Sequence, residues 1–321
     1  MTEMDIVANR LVEPRISVLL ICYNQEEYIK LAAESILAQD MPANEIEIIV
    51  ADDYSSDATL DIAKRVLAEF PGLPVRVLCA PENLGIVRNY QRAILACRGQ
   101  YIAILEGDDY WCFPGKLSAQ MQFLDSHLEC NACGTNYFMF DQSKADFIRR
   151  HPREHGHSLY SAREIIRHNE VSNFSAMMYR RTVAQALPFD AFVVPAYDWI
   201  INILVARSGL VGLLYQPMSV YRIHAKATWS GQRRHDQLKL LISLIPTYDK
   251  ISGGLFHDEF EHILIDSERE MQSNDKLPRN PSKNLVILLR SCIPPIVRNL
   301  IILFLPPVLL TFLIKLLRRR R

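Results

Sequence analysis

The stretch Tyr101-Ile-Ala-Ile-Leu-Glu-Gly-Asp-Asp-Tyr-Trp111 joins a short apolar run to three acidic residues within four positions, Glu106, Asp108 and Asp109. The run predicts a buried strand, and its carboxylates would lie at the carboxyl end, where parallel α/β sheets bind ligands. Carboxylates this close repel one another unless a cation lies among them, and Mg²⁺ and Mn²⁺ prefer oxygen ligands. Such an ion completes its shell with water and phosphate, which points to a phosphate-bearing ligand. The alternative is an acidic surface turn that caps the next helix.

The chain before this stretch alternates apolar runs with segments of helical spacing. Strands and helices are predicted in turn at 16–22, 26–38, 47–51, 56–68 (with Ser56 as N-cap), 74–79 and 85–97. This order predicts an α/β fold with a doubly wound, Rossmann-like mixed sheet. Neither a G-x-G-x-x-G nor a P-loop follows the first strand, which argues against a dinucleotide-binding dehydrogenase and a P-loop NTPase.

Polar residues follow each of the earlier strands as well. They are Tyr23 and Asn24 after the first, Asp52 and Asp53 after the second, and Asn83 to Gly85 after the third, with Arg88 one turn later. A carboxylate there can accept a hydrogen bond from a nucleobase, and an arginine suits phosphate. Each could instead be a cap or a plain turn. Their convergence with the acidic cluster on one rim favours a ligand site.

Four segments carry a family resemblance: 16–24, 48–59, 82–89 and 105–111. In order and spacing they resemble family 2 glycosyltransferases of the GT-A fold, over roughly residues 14–230. The resemblance implies that Asp52 contacts the uracil of a UDP-sugar and that Asp108 is a direct ligand of a divalent metal on the diphosphate. Glu106 stands where the family usually has Asp, and would reach the ribose or the metal through water. Tyr23, Asn24, Asp53, Arg88 and Asp109 are assigned to donor binding.

The second half is expected to supply the acceptor site. Asp198, within Val194-Pro-Ala-Tyr-Asp-Trp-Ile200, resembles the family position that deprotonates the acceptor hydroxyl. A single displacement at the anomeric carbon needs such a base and inverts configuration. The alternative is that Asp198 only caps the following helix. His224, in a Tyr-Arg-x-His segment, is assigned to the metal or the diphosphate; it could equally be an ordinary surface histidine.

The end of the chain differs from the rest in charge. Of 36 basic residues, ten lie between positions 276 and 321, which hold no acidic residue, so the body carries 26 basic against 36 acidic residues. Apolar runs at 285–289 and 300–314, the second interrupted by Pro306-Pro307, precede a run of four arginines. These features predict a monotopic or re-entrant anchor at an anionic cytoplasmic membrane face, rather than a straight spanning helix. The alternative is a pair of helices packed on the domain or on a second subunit.

The predicted organisation has four parts: an N-terminal extension (1–14) that is not a secretory signal, the GT-A domain (15–230), amphipathic helices (231–275) and the tail (276–321). Seven scattered cysteines favour reduced thiols in the cytosol over a disulfide framework. Cys130 and Cys133 are interpreted as the start of a buried strand rather than a zinc site. His151, His155 and His157 are interpreted as part of a mobile acceptor lid. Trp111 and Trp229 either stack on sugars or pack in the core.

Together these features predict an inverting glycosyltransferase that uses a nucleotide-sugar, Mn²⁺ or Mg²⁺, and a lipid-linked or cell-envelope glycan acceptor. Such a protein would act in polysaccharide biosynthesis on the cytoplasmic face of a membrane, with no nucleic-acid partner and with a homo-oligomer possible. A processive synthase is disfavoured because no Gln-x-x-Arg-Trp segment occurs. The alternative function is a catalytically idle scaffold that binds a nucleotide-sugar at the membrane.

Overall fold

The computed structural model describes residues 13–276, apart from 71, 169, 172, 193–197, 226–228 and 230. Short 3₁₀ turns at Ala43–Glu45, Phe174–Ala176 and Phe189–Phe192 link the longer elements. In chain order, those elements are β1 (Ile16–Cys22), α1 (Ile29–Leu37), β2 (Ile46–Asp52), α2 (Thr59–Leu67), β3 (Val75–Cys79), α3 (Ile86–Ala96), β4 (Tyr101–Glu106), β5 (Tyr110–Trp111), α4 (Lys116–Ser126), β6 (Cys130–Asp141), β7 (Asp146–Arg149), β8 (His157–Tyr160), α5 (Ala162–His168), β9 (Met177–Arg180), α6 (Arg181–Ala184), α7 (Asp198–Val205), β10 (Leu210–Ile223), α8 (Arg234–Ile251) and α9 (His257–Lys276).

The first half of the sheet is parallel, in the order β3-β2-β1-β4. β1 lies between two strands and is buried at every position, as a continuous apolar run predicts. The carboxyl ends of these four strands therefore meet at one rim, and the predicted alternation of strands and helices is confirmed.

The start of α2 differs from the prediction. The helix begins at Thr59, and the Asp57 carboxylate accepts a hydrogen bond from the Thr59 backbone N–H at 3.0 Å. The Ser56 N–H is instead donated to Asn24 Oδ1, at 2.8 Å. The prediction of Ser56 as N-cap is therefore wrong, because a contact from a neighbouring loop holds Ser56 outside the helix.

The second half of the sheet is mixed. β9 pairs antiparallel with both β4 and β6, so β6 runs in the same direction as β4, and β10 pairs parallel with β6. β5 and β8 pair antiparallel with β10, and β7 folds back antiparallel on β6. The β6–β7 hairpin therefore rises from the rim at which β1, β2 and β4 end.

Helices cover both faces of the sheet, as a doubly wound fold requires. One apolar cluster packs α1, α2 and α4 on one face, through side chains such as Ile29, Val66 and Leu117. The other packs α3, α5, α7, α8 and α9, through side chains such as Ile165 and Ile203. Helical structure at 236–272, predicted from the spacing of apolar residues, is confirmed by α8 and α9.

The chain divides into two compact units, Met1–Ser267 and Glu268–Arg321. The part of the chain described here contains no helix that is both long and apolar enough to cross a membrane. The tail at 277–321 lies outside the described residues, so the membrane anchor and the proposed domain boundaries stay predictions. Cys130 and Cys133 are free thiols buried at the start of β6, as predicted for a buried strand.

Candidate functional site

A glycine brings the acidic loop after β4 against the loop after β1. The Gly107 N–H is donated to the Ile21 carbonyl at 2.8 Å. A Cβ atom at position 107 would lie 2.5 Å from Gln25 Oε1 and 2.9 Å from Ile29 Cδ1, so any side chain there would force these two side chains to move. This close approach fixes the backbone on which the flanking carboxylates of Glu106 and Asp108 are presented.

Two of the predicted metal ligands lie in contact. His224 Nε2, just past the end of β10, is 3.1 Å from Asp108 Oδ2. The side chains of His224 and Asp108 are 7% and 21% exposed, so the imidazole is packed inside while the carboxylate reaches the surface. The Tyr28 ring lies over the imidazole with a centroid distance of 4.9 Å. The structure thus joins residues that are 116 positions apart in the sequence.

Arg222 holds the acidic loop from the β10 side. Its backbone N–H is donated to Asp109 Oδ1 and its Nε–H to the Asp108 carbonyl, both at 2.8 Å. Its guanidinium lies 4.9 Å from the Tyr28 ring centroid. Asp109 is buried, and burial together with the neighbouring Asp108 carboxylate raises its pKa. Asp109, assigned to donor binding from the sequence, is therefore placed to fix the loop internally.

Glu106, at the end of β4, is held by two hydrogen bonds and lies in an acidic surrounding. Glu106 Oε1 accepts a hydrogen bond from the Tyr90 hydroxyl at 2.8 Å, and the Glu106 backbone N–H is donated to Ser175 Oγ at 3.1 Å. Burial and the charge of Asp108, with a smaller contribution from Asp198, raise the pKa of Glu106 to about 8, against the effect of the Tyr90 hydrogen bond. Asp198, at the start of α7, thus contributes to the negative charge that acts on Glu106.

Asp198 is the first residue of α7, and both interpretations of it have a basis in the structure. Its Oδ1 accepts the Trp199 backbone N–H at 2.7 Å, which is a local capping contact. Burial raises the pKa of Asp198 to about 6. A carboxyl group with that pKa is mostly ionised at neutral pH and is a better proton acceptor than an ordinary aspartate.

Hydrogen bonds between side chains and backbone N–H groups stabilise the loops after β1, β2 and β3 and join them to one another. Asn24, with a left-handed φ of 49°, donates its N–H to Ser55 Oγ at 3.0 Å. Asp52 Oδ2 accepts the Ser55 N–H at 3.0 Å. Asp53 accepts two backbone N–H groups of the following loop, from Leu84 at 2.9 Å and Gly85 at 3.0 Å. Asn24, Asp52, Asp53 and Ser55 thus form part of the rim through these hydrogen bonds. Both carboxylate oxygens of Asp53 bind backbone N–H groups.

Three side chains on the same loops point outward. Tyr23 and Tyr54 are 46% and 58% exposed, and Arg88 is exposed in the first turn of α3. Tyr54 has φ of 68°, a left-handed conformation that costs energy for a bulky residue and often marks a functional loop. Sequence reasoning missed Tyr54 because its backbone conformation cannot be read from its residue type, although it lies inside the quoted segment 48–59.

Trp111 is buried, and it binds the turn that contacts the acidic loop. Its Nε1–H is donated to the Ser175 carbonyl at 2.7 Å, on the turn whose hydroxyl binds Glu106. Lys116 Nζ lies 4.4 Å from the Trp111 ring centroid and donates to Gln120 Oε1 at 2.7 Å. Gln120 in turn donates to the Ala176 carbonyl at 2.9 Å. Of the two interpretations of Trp111, the core one is confirmed.

Comparison with known proteins places this rim in a family. The sequence profile described as Glycosyl transferase family 2 matches residues 17–187, more than half of the chain. The chain belongs to glycosyl transferase family 2. The match includes β1 to β9 and the acidic loop, while Asp198 and His224 lie beyond it.

Relatives and solved structures agree with the family 2 assignment. An uncharacterized protein of Mycobacterium tuberculosis is 34% identical over 215 residues, 66% of this chain and 60% of that protein. The Escherichia coli UDP-Glc:alpha-D-GlcNAc-diphosphoundecaprenol beta-1,3-glucosyltransferase WfaP is 33% identical over 113 residues, 35% of this chain and 41% of that enzyme. The Pyrobaculum calidifontis mannosyltransferase PcManGT, solved with GDP-Man and Mn²⁺, aligns with a TM-score of 0.57 at 16% identity, covering 87% of this chain and 81% of that one. These likenesses confirm the predicted GT-A fold.

The residues of the family 2 site suit the divalent metal that the family implies only in part. Among the described residues, no group of three or more His, Cys, Asp or Glu side chains is arranged to hold a metal ion by itself. The Asp108 carboxylate beside the His224 imidazole nevertheless suits an ion that takes its other ligands from a diphosphate and water. The mutual repulsion that raises the pKa of Glu106 would also be relieved by a cation. The residues therefore fit an ion that is held jointly by the protein and a bound diphosphate. They do not fit an ion whose ligands all come from the protein.

Lys116 gives this family 2 member a pH-dependent stability that can be measured. Burial lowers the pKa of Lys116 to about 7 from 10.5, so between these values the unfolded chain binds more protons and the free energy of unfolding rises with pH. From pH 7 to pH 9, wild type is expected to gain about 2 kcal/mol relative to Lys116→Met in urea denaturation. The exposed Lys30→Met serves as control and should follow wild type. Parallel pH profiles of wild type and Lys116→Met would contradict the prediction.

Proposed function

We propose that this protein is an inverting, metal-dependent glycosyltransferase that moves a sugar from a UDP-sugar to a hydroxyl of a lipid-linked or cell-envelope glycan. The observation that carries the proposal is the acidic loop after β4, where Asp108 Oδ2 lies 3.1 Å from His224 Nε2 in a chain matched by the glycosyl transferase family 2 profile. The loop supplies a candidate diphosphate site, and Asp198, a carboxyl group whose pKa burial raises to about 6, is the candidate base. A site that only bound a nucleotide-sugar would not need a carboxyl group there.

The donor is assigned to the rim formed by the loops after β1, β2 and β3. Asp52 is the candidate contact for a uracil N–H, and the exposed Tyr23, Tyr54 and Arg88 are the candidates for contacts with the nucleotide's ring and phosphates. The WfaP relative is named for UDP-Glc, whereas PcManGT was solved with GDP-Man. UDP is favoured here because the relative is far closer in sequence.

The residues of the site divide the chemical work between them. Asp198 accepts the proton of the acceptor hydroxyl as its oxygen attacks the anomeric carbon from the side opposite the diphosphate, which inverts configuration. Arg222 keeps the acidic loop in place through the Asp108 and Asp109 contacts. Asp108 and His224 would hold the divalent ion, with Glu106 supporting it. When bound, such an ion neutralises charge on the departing diphosphate.

The acceptor and the location are proposed from the tail and from the relatives. WfaP is named for a sugar linked to diphosphoundecaprenol, a membrane lipid. The basic, apolar segment 276–321 would place this protein on the cytoplasmic face of a membrane that carries such an acceptor. The matched region covers 60% of the length of the mycobacterial relative. The acceptor is therefore proposed for this chain and is not transferred from that relative. A homo-oligomer is compatible with the same arrangement.

A thermal-shift screen of nucleotide-sugars tests this function. With Mn²⁺ present, a UDP-sugar at about 100 times its Kd should stabilise the fold by about 2.7 kcal/mol, equivalent to roughly 5 °C in Tm. GDP- and dTDP-sugars, and UDP-sugar with EDTA, should shift Tm much less. A larger shift with a GDP-sugar would overturn the UDP assignment. Binding without any donor hydrolysis or transfer would support the idle scaffold instead.

A further inference from the structure

Trp199, the second residue of α7, is held by contacts from three other helices. Its indole Nε1–H is donated to the Ile165 carbonyl on α5 at 3.0 Å. The indole ring meets Tyr248 of α8 and Phe260 of α9 edge to face, with a centroid distance of 6.1 Å in both pairs. The side chain is 9% exposed, so these contacts are made in the interior. The first turn of α7 is therefore fixed by α5, α8 and α9 together.

The hydrogen bond to α5 fixes the direction in which the indole points. Ile165 lies in the last turn of α5, where the carbonyl groups of a helix have no partner within that helix. The Trp199 N–H supplies such a partner, and its loss would leave a buried carbonyl group unpaired. A phenylalanine would fill much of the same space without donating this hydrogen bond. The indole is thus held by its orientation as well as by its volume.

A buried carboxylate holds α9 against α5. Glu259, the residue before Phe260, is 3% exposed, and its Oε1 accepts hydrogen bonds from the guanidinium groups of Arg163 and, at 3.0 Å, of Arg167. Hydrogen bonds between ionised partners are stronger than those between neutral ones. Because α5 also carries the carbonyl that binds the indole, each of α5, α7 and α9 contacts the other two. We call the residues at these contacts the α7 clamp: Ile165, Trp199, Glu259 and Phe260.

The α7 clamp is connected to the candidate base through the backbone. Trp199 directly follows Asp198, and its backbone N–H is donated to Asp198 Oδ1 at 2.7 Å. This contact links the direction of the carboxylate to the position of the Trp199 main chain. Asp198 is the first residue of α7, and the ends of helices fray unless other contacts hold them. Fixing the indole therefore limits how far the carboxylate can move.

We propose that Trp199 and Glu259 are positioning residues for the reaction, which act by fixing the Asp198 carboxylate at the start of α7. The inference rests on the proposed function, because it takes Asp198 as the base. A displacement of about 1 Å, caused by a change far from the reacting atoms, can lower a rate by about 100-fold. This assigns α9 to the support of the active site, although Glu259 lies beyond residues 17–187, which the family profile matches.

Hydrolysis of UDP-glucose by the full-length protein with Mn²⁺ tests the proposal. Water takes the place of the unidentified acceptor, giving its oxygen to the anomeric carbon and a proton to the base as UDP leaves. The variants are Trp199→Phe, which keeps an aromatic ring and loses the indole N–H, and Glu259→Gln, which removes the charge. Glu47→Gln is the matched control. Glu47 is also a buried glutamate shared by two arginines, Arg76 and Arg98, but it lies near the start of β2, away from the rim.

Both variants of the α7 clamp are expected to lower kcat about tenfold and to leave KM for UDP-glucose within about twofold of wild type, because the loops of the donor rim are unchanged. Glu47→Gln should lower Tm and keep the wild-type kcat, when all rates are measured below the melting temperature of every variant. A fall in kcat of less than about threefold in both clamp variants would overturn the proposal. An equal fall in Glu47→Gln would do the same.

A double-mutant cycle with Asp198→Asn separates positioning from general damage to the fold. If the α7 clamp acts through this carboxylate, adding Trp199→Phe or Glu259→Gln to Asp198→Asn should change the residual rate by less than about twofold. The reason is that the group on which the clamp acts is already lost. Losses of about tenfold that multiply with the loss in Asp198→Asn would instead show that the clamp acts elsewhere, and the proposal would be wrong.

Hydrogen exchange gives a second readout, which does not depend on turnover. The amides at the start of α7 should exchange about tenfold faster in both clamp variants than in wild type, while the amides of β1 keep their wild-type rates. Unchanged exchange in α7 would contradict the proposal.

These measurements also separate the inference from the proposed function. If Asp198→Asn loses the hydrolysis rate while both clamp variants keep it, the function stands and the clamp has no positioning role. If Asp198→Asn keeps the wild-type rate, the assignment of the base is wrong and the inference is wrong with it. If wild type releases no UDP, the proposed function fails, and the exchange rates alone decide whether the clamp fixes the start of α7.

Discussion

Replacing Asp198 with Asn is expected to lower the rate of sugar transfer about a thousand-fold, because removal of a positioned base costs between about 10² and 10⁴ in rate. The side chain keeps its shape, and its oxygen can still accept the Trp199 N–H that it binds at 2.7 Å. Donor affinity, measured by the thermal shift with UDP-sugar and Mn²⁺, should therefore remain near that of wild type. The loss should appear in kcat.

The pH dependence of wild type follows from the same residue. Because burial raises the pKa of Asp198 to about 6 in the ligand-free protein and the base works in its ionised form, kcat/KM should fall roughly tenfold for each pH unit below 6 and level off above pH 7. Asp190→Asn is a matched control, since Asp190 is an exposed aspartate in the first turn of another short helix. A kcat of Asp198→Asn within tenfold of wild type would remove this residue from the role of base.

Replacing Asp108 with Asn is expected to remove the metal-dependent part of donor binding and to reduce transfer by about 100-fold, equivalent to about 2.7 kcal/mol of lost charge stabilisation. The amide is nearly the same size but carries no charge, so the contact with His224 at 3.1 Å can persist while the affinity for a divalent ion falls. The thermal shift caused by UDP-sugar should become the same with Mn²⁺ and with EDTA.

Asp61→Asn is the control for Asp108→Asn, because Asp61 is an exposed residue on α2, away from the acidic loop. Its thermal shifts should match those of wild type with and without Mn²⁺. If the Asp108 variant kept the full difference between Mn²⁺ and EDTA, the ion would have to be held elsewhere, and Glu106 would be the next residue to replace.

The parallel half of the sheet and the positions of the strand-end residues could be predicted because they depend on local pattern. A run such as Ile16–Cys22 has few alternatives to a central strand, and a carboxylate placed directly after such a strand must lie at its carboxyl end. Asp52, Glu106 and Asp108 follow such strands, so their sequence positions alone predict that they lie on one rim.

What could not be predicted depends on residues that are far apart in the sequence. Arg222 reaches the acidic loop from 113 positions away, through its backbone N–H, and nothing in its own neighbourhood indicates that partner. The sequence assigns Asp53 to donor binding and gives no sign that its two oxygens accept the N–H groups of Leu84 and Gly85. Ser56 was predicted as a helix cap, but its N–H is donated to Asn24 in the loop after β1. In each case the partner comes from a segment that the local pattern does not identify.

The hydrogen bonds that join the loops after β1, β2 and β3 bear on any attempt to change the donor. The loops after β1 and β2 supply side chains that satisfy the backbone of the next loop, as Asn24 does for Ser56 and Asp53 does for Gly85. Transplanting one loop from another glycosyltransferase would leave the adjoining loop with unpaired N–H groups, even if the new loop were suited to the new sugar. If these loops bind the donor as proposed, donor preference depends on the three of them together, and a chimaera must exchange all three at once.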